Sequence, residues 1–225
     1  MEISGIYETM RSFNGKFALL PEHQRRIEFS CGEIGVAAPD LGEVVKEFEG
    51  REDVRLRIAV GLDGAVKVES FELPEWHGSF LYDEEWPVKV FDGARENAGV
   101  KSTDTEMQAK AREEAAREGF GEILLVDEKG RICEGGITNV FFVDGEKLVT
   151  PSEGMLPGIS REMVLRACGE LGIEVELRDV FEKELEGFDA VFLTNSIRGM
   201  VSTGTVLPVM EQVAEWCTRF IKGRA

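Results

Sequence analysis

The chain has 225 residues, and 26 Lys and Arg stand against 43 Asp and Glu, a formal net charge of −17. Hydrophobic residues make up 43% and charged residues 31%, the balance of a globular chain rather than a disordered or fibrous one. Such an acidic surplus speaks against nucleic acid and anionic membrane surfaces as partners, because both are held through Lys and Arg. No apolar run approaches the ~18 residues of a membrane helix, and MEISGIYETMRS lacks a signal-peptide core, so a cytoplasmic protein is expected.

Along the chain, ISGIYETMRSF reads as a strand up to the hairpin signal Asn14-Gly15, with KFALL as its partner. A helical stretch follows from His23 to Phe29, and LGEVVKEFEG forms a short helix closed by Gly50. VRLRIAVGL and AVKVESFEL alternate on either side of Asp63-Gly64 and predict a second hairpin. LPEWHGSFLYDEEWP breaks the periodicity, which places a boundary near residues 74–86 and divides the chain into domains 1–82 and 83–225. Beyond it lies the strand PVKVFD, then the helix AKAREEAAREG. Thr103-Asp104-Thr105-Glu106 would start that helix as a capping box, and Gly119 would end it. EILLVD, TNVFFVD and KLVTP are strands, and a helix runs from near Ser160 to Gly172 with Met163, Val164 and Ala167 on its apolar face. EVELRDV, DAVFLTN and the terminal helix VMEQVAEWCTRFI follow. The class is α+β in two lobes.

Cys31, Cys133, Cys168 and Cys217 are scattered, with no C-x-x-C pair and no short spacing to a histidine, so reduced thiols are expected and no metal site. The histidines are His23 and His77, and no nucleotide-phosphate loop of the Walker or Rossmann type occurs. Catalysis would then rest on carboxylates, lysine or a bound cofactor. LPGISRE at 156–162 places a glycine before a helix start, where unpaired N–H groups favour an anion. Ser160 would be its N-cap, and Arg161 either joins the anion or is solvated. Lys101, flanked by Val100 and small residues, has the setting of a lysine with lowered proton affinity, as a Schiff-base lysine needs. Glu134 precedes paired glycines and a buried-looking strand. It is either drawn toward the core, where its charge needs a partner, or left on a solvated edge.

In order, the chain carries G-I-Y-E-T-M-R at 5–11, H-x-x-R-I at 23–27, Lys101 and E-G-x-x-x-N at 134–139. T-P at 150–151, L-P-G-I-S-R at 156–161 and F-L-T-N-S at 192–196 complete the set. This ordered set resembles the class IV, fold-type IV pyridoxal-phosphate enzymes: branched-chain aminotransferases, D-amino-acid aminotransferases and aminodeoxychorismate lyases. The resemblance covers about residues 5 to 200. It implies a two-lobed α+β fold, with a small N-terminal lobe and a larger mixed-sheet or pseudo-barrel lobe, working as a homodimer. It implies pyridoxal 5′-phosphate as cofactor, with Lys101 as the catalytic, Schiff-base lysine and Glu134 facing the ring nitrogen. Arg26, the backbone of Ile159 and Ser160, and Ser196 would hold phosphate, with Asn139, Gly158, Thr194 and Asn195 completing the cofactor set. His23 would be structural.

The chain departs from the family after the lysine, where it reads Ser102-Thr103-Asp104-Thr105, and after the last strand, at 196–202. These departures leave substrate identity open. Tyr7, Arg55 and Arg198 are candidates to bind substrate, since a guanidinium suits a carboxylate; the alternative for Arg55 and Arg57 is a solvated strand face. The expected activity is amino transfer between an amino acid and a 2-oxo acid. The alternatives are elimination to 4-aminobenzoate and pyruvate, as in aminodeoxychorismate lyase, or cofactor binding without turnover.

Overall fold

A computed structural model describes residues 3–51, 53–73 and 76–224; residues 74 and 75 of the expected boundary segment lie outside the described residues. The chain divides into two compact units. The first comprises Met1–Ser79, Gly99–Asp104 and Thr218–Ala225, and the second Phe80–Ala98 and Thr105–Cys217. The chain passes from the first unit to the second at Ser79–Phe80 and returns to the first at 99–104 and 218–225.

In the first unit, β1 (Gly5–Phe13) turns through Asn14 and Gly15, both at positive φ, into β2 (Lys16–Phe17). KFALL supplies only these two strand residues. Leu19 adopts a left-handed conformation and Pro21 sits in the first helical turn, so α1 (Leu20–Glu33) begins three residues before the expected start at His23. After α2 (Leu41–Val45), capped by the Asp40 carboxylate, come β3 (Val54–Gly61) and β4 (Val66–Glu72). The antiparallel sheet has the order β2-β1-β3-β4. On β3 the period of two buries Val54, Leu56, Ile58 and Val60 and turns Arg55 and Arg57 to the opposite face. Those apolar residues form a core with Ile6 and Met10 of β1 and Ile27 and Cys31 of α1.

The 99–104 segment lies along β1: Tyr7 N–H donates to the Lys101 carbonyl at 2.9 Å, and Thr103 N–H to the Gly5 carbonyl at 2.8 Å. This contact cancels the expected capping box. The Asp104 carboxylate accepts from the Ser4 N–H and hydroxyl, while the Thr103 hydroxyl donates to Gly5 O at 3.3 Å. Both side chains are thereby engaged on the strand.

The second unit opens with β5 (Leu81–Glu85), inside the segment whose periodicity looked broken, and β6 (Val88–Asp92). β5 is an edge strand paired in parallel with β14, and its exposed Asp83, Glu84 and Glu85 suit an edge that a hydrophobic pattern would not reveal. α3 (Glu106–Arg117) starts behind Thr105 with no side-chain cap. Then come β7 (Glu122–Val126), β8 (Arg131–Gly135), β9 (Asn139–Asp144) and β10 (Lys147–Thr150). α4 (Ile159–Leu171), β11 (Val175–Leu177), β12 (Val180–Phe181), β13 (Ala190–Asn195) and β14 (Gly199–Ser202) precede α5 (Pro208–Lys222).

These strands make a six-stranded sheet, β11-β10-β9-β13-β14-β5, and a four-stranded sheet, β12-β8-β7-β6. Leu124, Val126 and Ile132 of the smaller sheet meet Val140, Phe142 and Leu193 of the larger in one core. The sheets do not close into a barrel, so the pseudo-barrel expectation becomes two sheets sharing a core. All four cysteines are free and buried, as expected for small apolar side chains. Among the described residues, no helix is long and apolar enough to cross a membrane.

Phe192 at the centre of β13 is fully buried and stacks on Phe141, ring centroids 5.0 Å apart. Phe192→Ala is expected to lower the unfolding free energy by about 3–5 kcal/mol in a urea titration, because it opens a cavity between rigid strands.

Candidate active site

In the first unit, the alternation of β1 points Ile6, Glu8 and Met10 toward the core, so a carboxylate occupies an apolar row. Glu8 is 0% exposed. Arg26 of α1 meets it with two bonds, Nε to Oε2 at 2.9 Å and Nη2 to Oε1 at 2.5 Å. The Thr9 N–H donates to Oε1 at 2.8 Å, and His23 Nδ1 lies 3.1 Å from the same oxygen. Burial alone would raise the Glu8 carboxyl, but the Arg26 guanidinium beside it outweighs burial and holds the group well below the usual carboxylate range. Burial pushes His23 down against the pull of Glu8, and the Arg26 and Lys101 cations add to that. His23 is therefore a neutral, buried partner of Glu8.

Lys101 is fastened by its backbone, with the carbonyl on Tyr7 and the N–H donating to the Ser30 hydroxyl at 3.3 Å. Its Nζ lies 4.5 Å from the centroid of the Tyr7 ring, and the Arg57 guanidinium lies 4.2 Å from that same centroid. Arg55 instead covers Phe71 at 4.2 Å. The sheet face opposite the core thus gathers cations around one aromatic ring. Tyr7, Arg57 and Lys101 come together there, while Arg55 belongs to a separate stack.

In the second unit, Glu134 on β8 is 2% exposed, which excludes the solvated edge. Arg95 Nε donates to its Oε1 at 2.9 Å and Leu156 N–H to its Oε2 at 3.0 Å. The turn after it is held by another buried carboxylate. Glu122 accepts from Arg112 Nε at 2.8 Å, Ile137 N–H at 3.1 Å and the Thr138 hydroxyl at 3.3 Å. Glu122 and Arg95 were not anticipated, since both act across long separations in the chain. Glu8 did leave a sign, an acid in the inward row of an alternating strand.

The N-cap of α4 is Gly158, two residues before the expected Ser160, and no side chain caps its first turn. Ser160 and Ile159 are buried within that turn. Asn139 Nδ2 donates to the Leu156 carbonyl at 2.8 Å, and a Cβ at Gly158 would come within 1.8 Å of Asn139 Oδ1. Asn139 therefore shapes the turn before the helix. Arg161 is buried and donates to the Pro151 carbonyl at 2.9 Å, which rules out the solvated alternative. On β13 the Thr194 hydroxyl is buried and has no hydrogen-bond partner among the described residues. Asn195 Oδ1 accepts from Ile197 N–H at 3.0 Å and Arg198 N–H at 2.8 Å, closing a turn that carries Ser196. Arg198 faces Glu84 at 3.3 Å.

These groups fit pyridoxal phosphate. The first unit offers a primary amine and a guanidinium held flat by two bonds. The second offers a buried carboxylate, an uncapped helix start suited to phosphate and an orphaned buried hydroxyl.

Because the folded state keeps His23 neutral below its ordinary value of 6.5, the unfolded chain binds more protons as the pH falls through that value. Stability is full above it and declines below. The contribution of Glu8, whose folded value is depressed, is lost only at more acid pH. Urea unfolding at about pH 7 and about pH 5.5 is expected to show a loss for the wild type and a smaller loss for His23→Gln. Equal losses would count against the neutral histidine.

The model of the class IV amino-transferase family matches residues 5–203. The probable branched-chain-amino-acid aminotransferase of Aquifex aeolicus is 31% identical over 224 residues, covering 85% of this chain and 72% of its own length. The branched-chain aminotransferase of Thermoproteus uzoniensis, solved with norvaline, shares the fold at TM-score 0.86 and 24% identity, over 98% of this chain and 86% of that one. A solved protein provisionally named 4-amino-4-deoxychorismate lyase aligns at TM-score 0.82 and 26% identity, over 97% and 90% of the two chains. With the ordered motifs on these two units, the chain belongs to the class IV aminotransferases, a family of pyridoxal-phosphate enzymes.

Proposed function

We propose that the chain transfers an amino group between an amino acid and a 2-oxo acid, with Lys101 as its catalytic residue. The observation that carries this is the attachment of Lys101 and Arg26 to neighbouring residues of β1, Tyr7 and Glu8. One strand thus fixes an amine and a phosphate-binding guanidinium. When bound, the cofactor supplies an electron-accepting ring that eases removal of the substrate Cα proton. Lys101 Nζ takes and returns that proton. Phosphate is the role of Arg26 in the first unit and of the Ile159 and Ser160 N–H groups, the Thr194 hydroxyl and Ser196 in the second. Glu134 accepts the ring N–H, and Arg95 balances its charge. Gly158, Asn139 and Asn195 act by shaping the turns that carry these groups.

Tyr7 and Arg57 stand next to Lys101 and are the groups best placed to take a substrate carboxylate, with Arg55 further along the strand. Arg198 answers Glu84, so its binding of substrate would require exchange of that partner. A lyase reading, elimination to 4-aminobenzoate and pyruvate, is supported by the similarity to the provisionally named lyase and remains the second reading. We place the enzyme in the cytoplasm as a homodimer, in keeping with its buried free thiols and its family resemblance; sedimentation of the active enzyme as a monomer would contradict the dimer.

The purified protein with added cofactor is expected to be yellow, and borohydride should bleach it by fixing the cofactor to Lys101. Lys101→Ala should lower kcat by several orders of magnitude, and full activity of that variant would remove Lys101 from the chemistry. In a panel of amino donors with 2-oxoglutarate, glutamate formation is expected. Pyruvate released from aminodeoxychorismate, without glutamate in the panel, would decide for the lyase.

A further inference from the structure

Glu8 is a buried titratable group that the proposed chemistry leaves without a task. It stands in an inward row between Ile6 and Met10, where an apolar side chain would pack with no loss of hydration. A carboxylate brought into such a place is unfavourable unless charge and hydrogen bonds compensate it. Here the compensation is specific: two parallel bonds from Arg26, one from the Thr9 N–H, and His23 Nδ1 alongside.

An arginine presents five N–H groups in one rigid plane at the end of a long, flexible stem. Two of the five are taken by Glu8. The direction of the other three is then set by β1 rather than by the rotamers of the Arg26 stem. Charge is not what Glu8 contributes, because a carboxylate beside the guanidinium weakens its attraction for a phosphate dianion. What it contributes is orientation.

We propose that Glu8 is a positioning residue, which fixes the plane of the Arg26 guanidinium in the orientation in which it binds the cofactor phosphate. This rests on the assignment of Arg26 to the phosphate. Since Tyr7, the preceding residue, holds the Lys101 carbonyl, the same two residues also set the spacing between phosphate anchor and amine.

The test compares the affinity of the full chain for pyridoxal 5′-phosphate and for pyridoxal, which lacks the phosphate, by visible absorbance. Glu8→Gln keeps the shape of the side chain but loses its charge and its second acceptor toward Arg26. It is expected to weaken pyridoxal-phosphate binding roughly 10–100-fold, the range found when an outer partner of a binding group is removed, and to leave pyridoxal binding unchanged. No loss, or an equal loss for both compounds, would overturn the proposal, the second result marking a merely structural carboxylate. Should Glu8→Gln fail to fold, Arg26→Lys asks the same question, because an ammonium keeps the charge but cannot take the two-pronged bond. A comparable loss of preference is expected, and undiminished preference would overturn the proposal. Arg26→Ala separates the two levels: it should abolish the preference for the phosphorylated compound. If the preference survives Arg26→Ala, the phosphate assignment itself fails. If it is abolished there and untouched in Glu8→Gln, only the role of Glu8 fails.

Discussion

The pairing of β1 with the 99–104 segment is the constraint on which the first unit's chemistry depends. Tyr7 and Gly5 hold Lys101 and Thr103 by backbone bonds, and Ser4 holds Asp104. The lysine therefore has a fixed base even though it arrives from a distant part of the chain. One residue along the strand, Glu8 reaches the other way and secures Arg26 on α1. A β-strand sends successive side chains to opposite faces, so neighbouring residues can serve two faces of one sheet. Tyr7 faces the cations and Glu8 faces the core.

The second unit uses a different device, turns locked by buried polar side chains. Glu122 holds the turn after Glu134, Asn139 holds the turn before α4, and Asn195 closes the turn after β13. In each case a side chain satisfies backbone groups that a tight turn leaves unpaired, which is what buried irregular backbone requires. Glycine completes the arrangement at 158, where the close approach of Asn139 leaves no room for a Cβ. The residues named as cofactor ligands from the motif thus divide in two. Ile159 and Ser160 stand in the first turn of α4 and Thr194 carries a buried hydroxyl, whereas Asn139, Gly158 and Asn195 build the turns beside them.

The net charge of −17 opposes the approach of every anion this chemistry needs. Affinity must then arise locally, from held cations rather than from the field of the whole molecule. Arg26 shows how far this goes. Its charge is partly offset by Glu8, so an anion brought to it would be held by geometry more than by electrostatic attraction. Arg57 and Lys101 flank Tyr7 on the face opposite the core.

Much of this was legible in the amino-acid sequence. Period-two alternation located β3 and β4, glycines marked the ends of α3 and α4, and the ordered motifs singled out Lys101, Arg26, Glu134 and the 158–160 turn. Local patterns carry such information because turns, periodicity and special residues act over a few neighbours. Where the sequence misled, a distant partner had claimed the local signal. Thr103 and Asp104 match a capping box but are engaged by Ser4 and Gly5, and β5 escaped notice because an edge strand may be acidic. By itself, then, the sequence determined most of the elements and the family, and it singled out the candidate site residues. Only the tertiary structure decided that Glu8 pairs with Arg26, that Arg95 answers Glu134 and that Arg198 is paired with Glu84. Those pairings join residues 18, 39 and 114 positions apart, and no local propensity specifies which buried charges will meet.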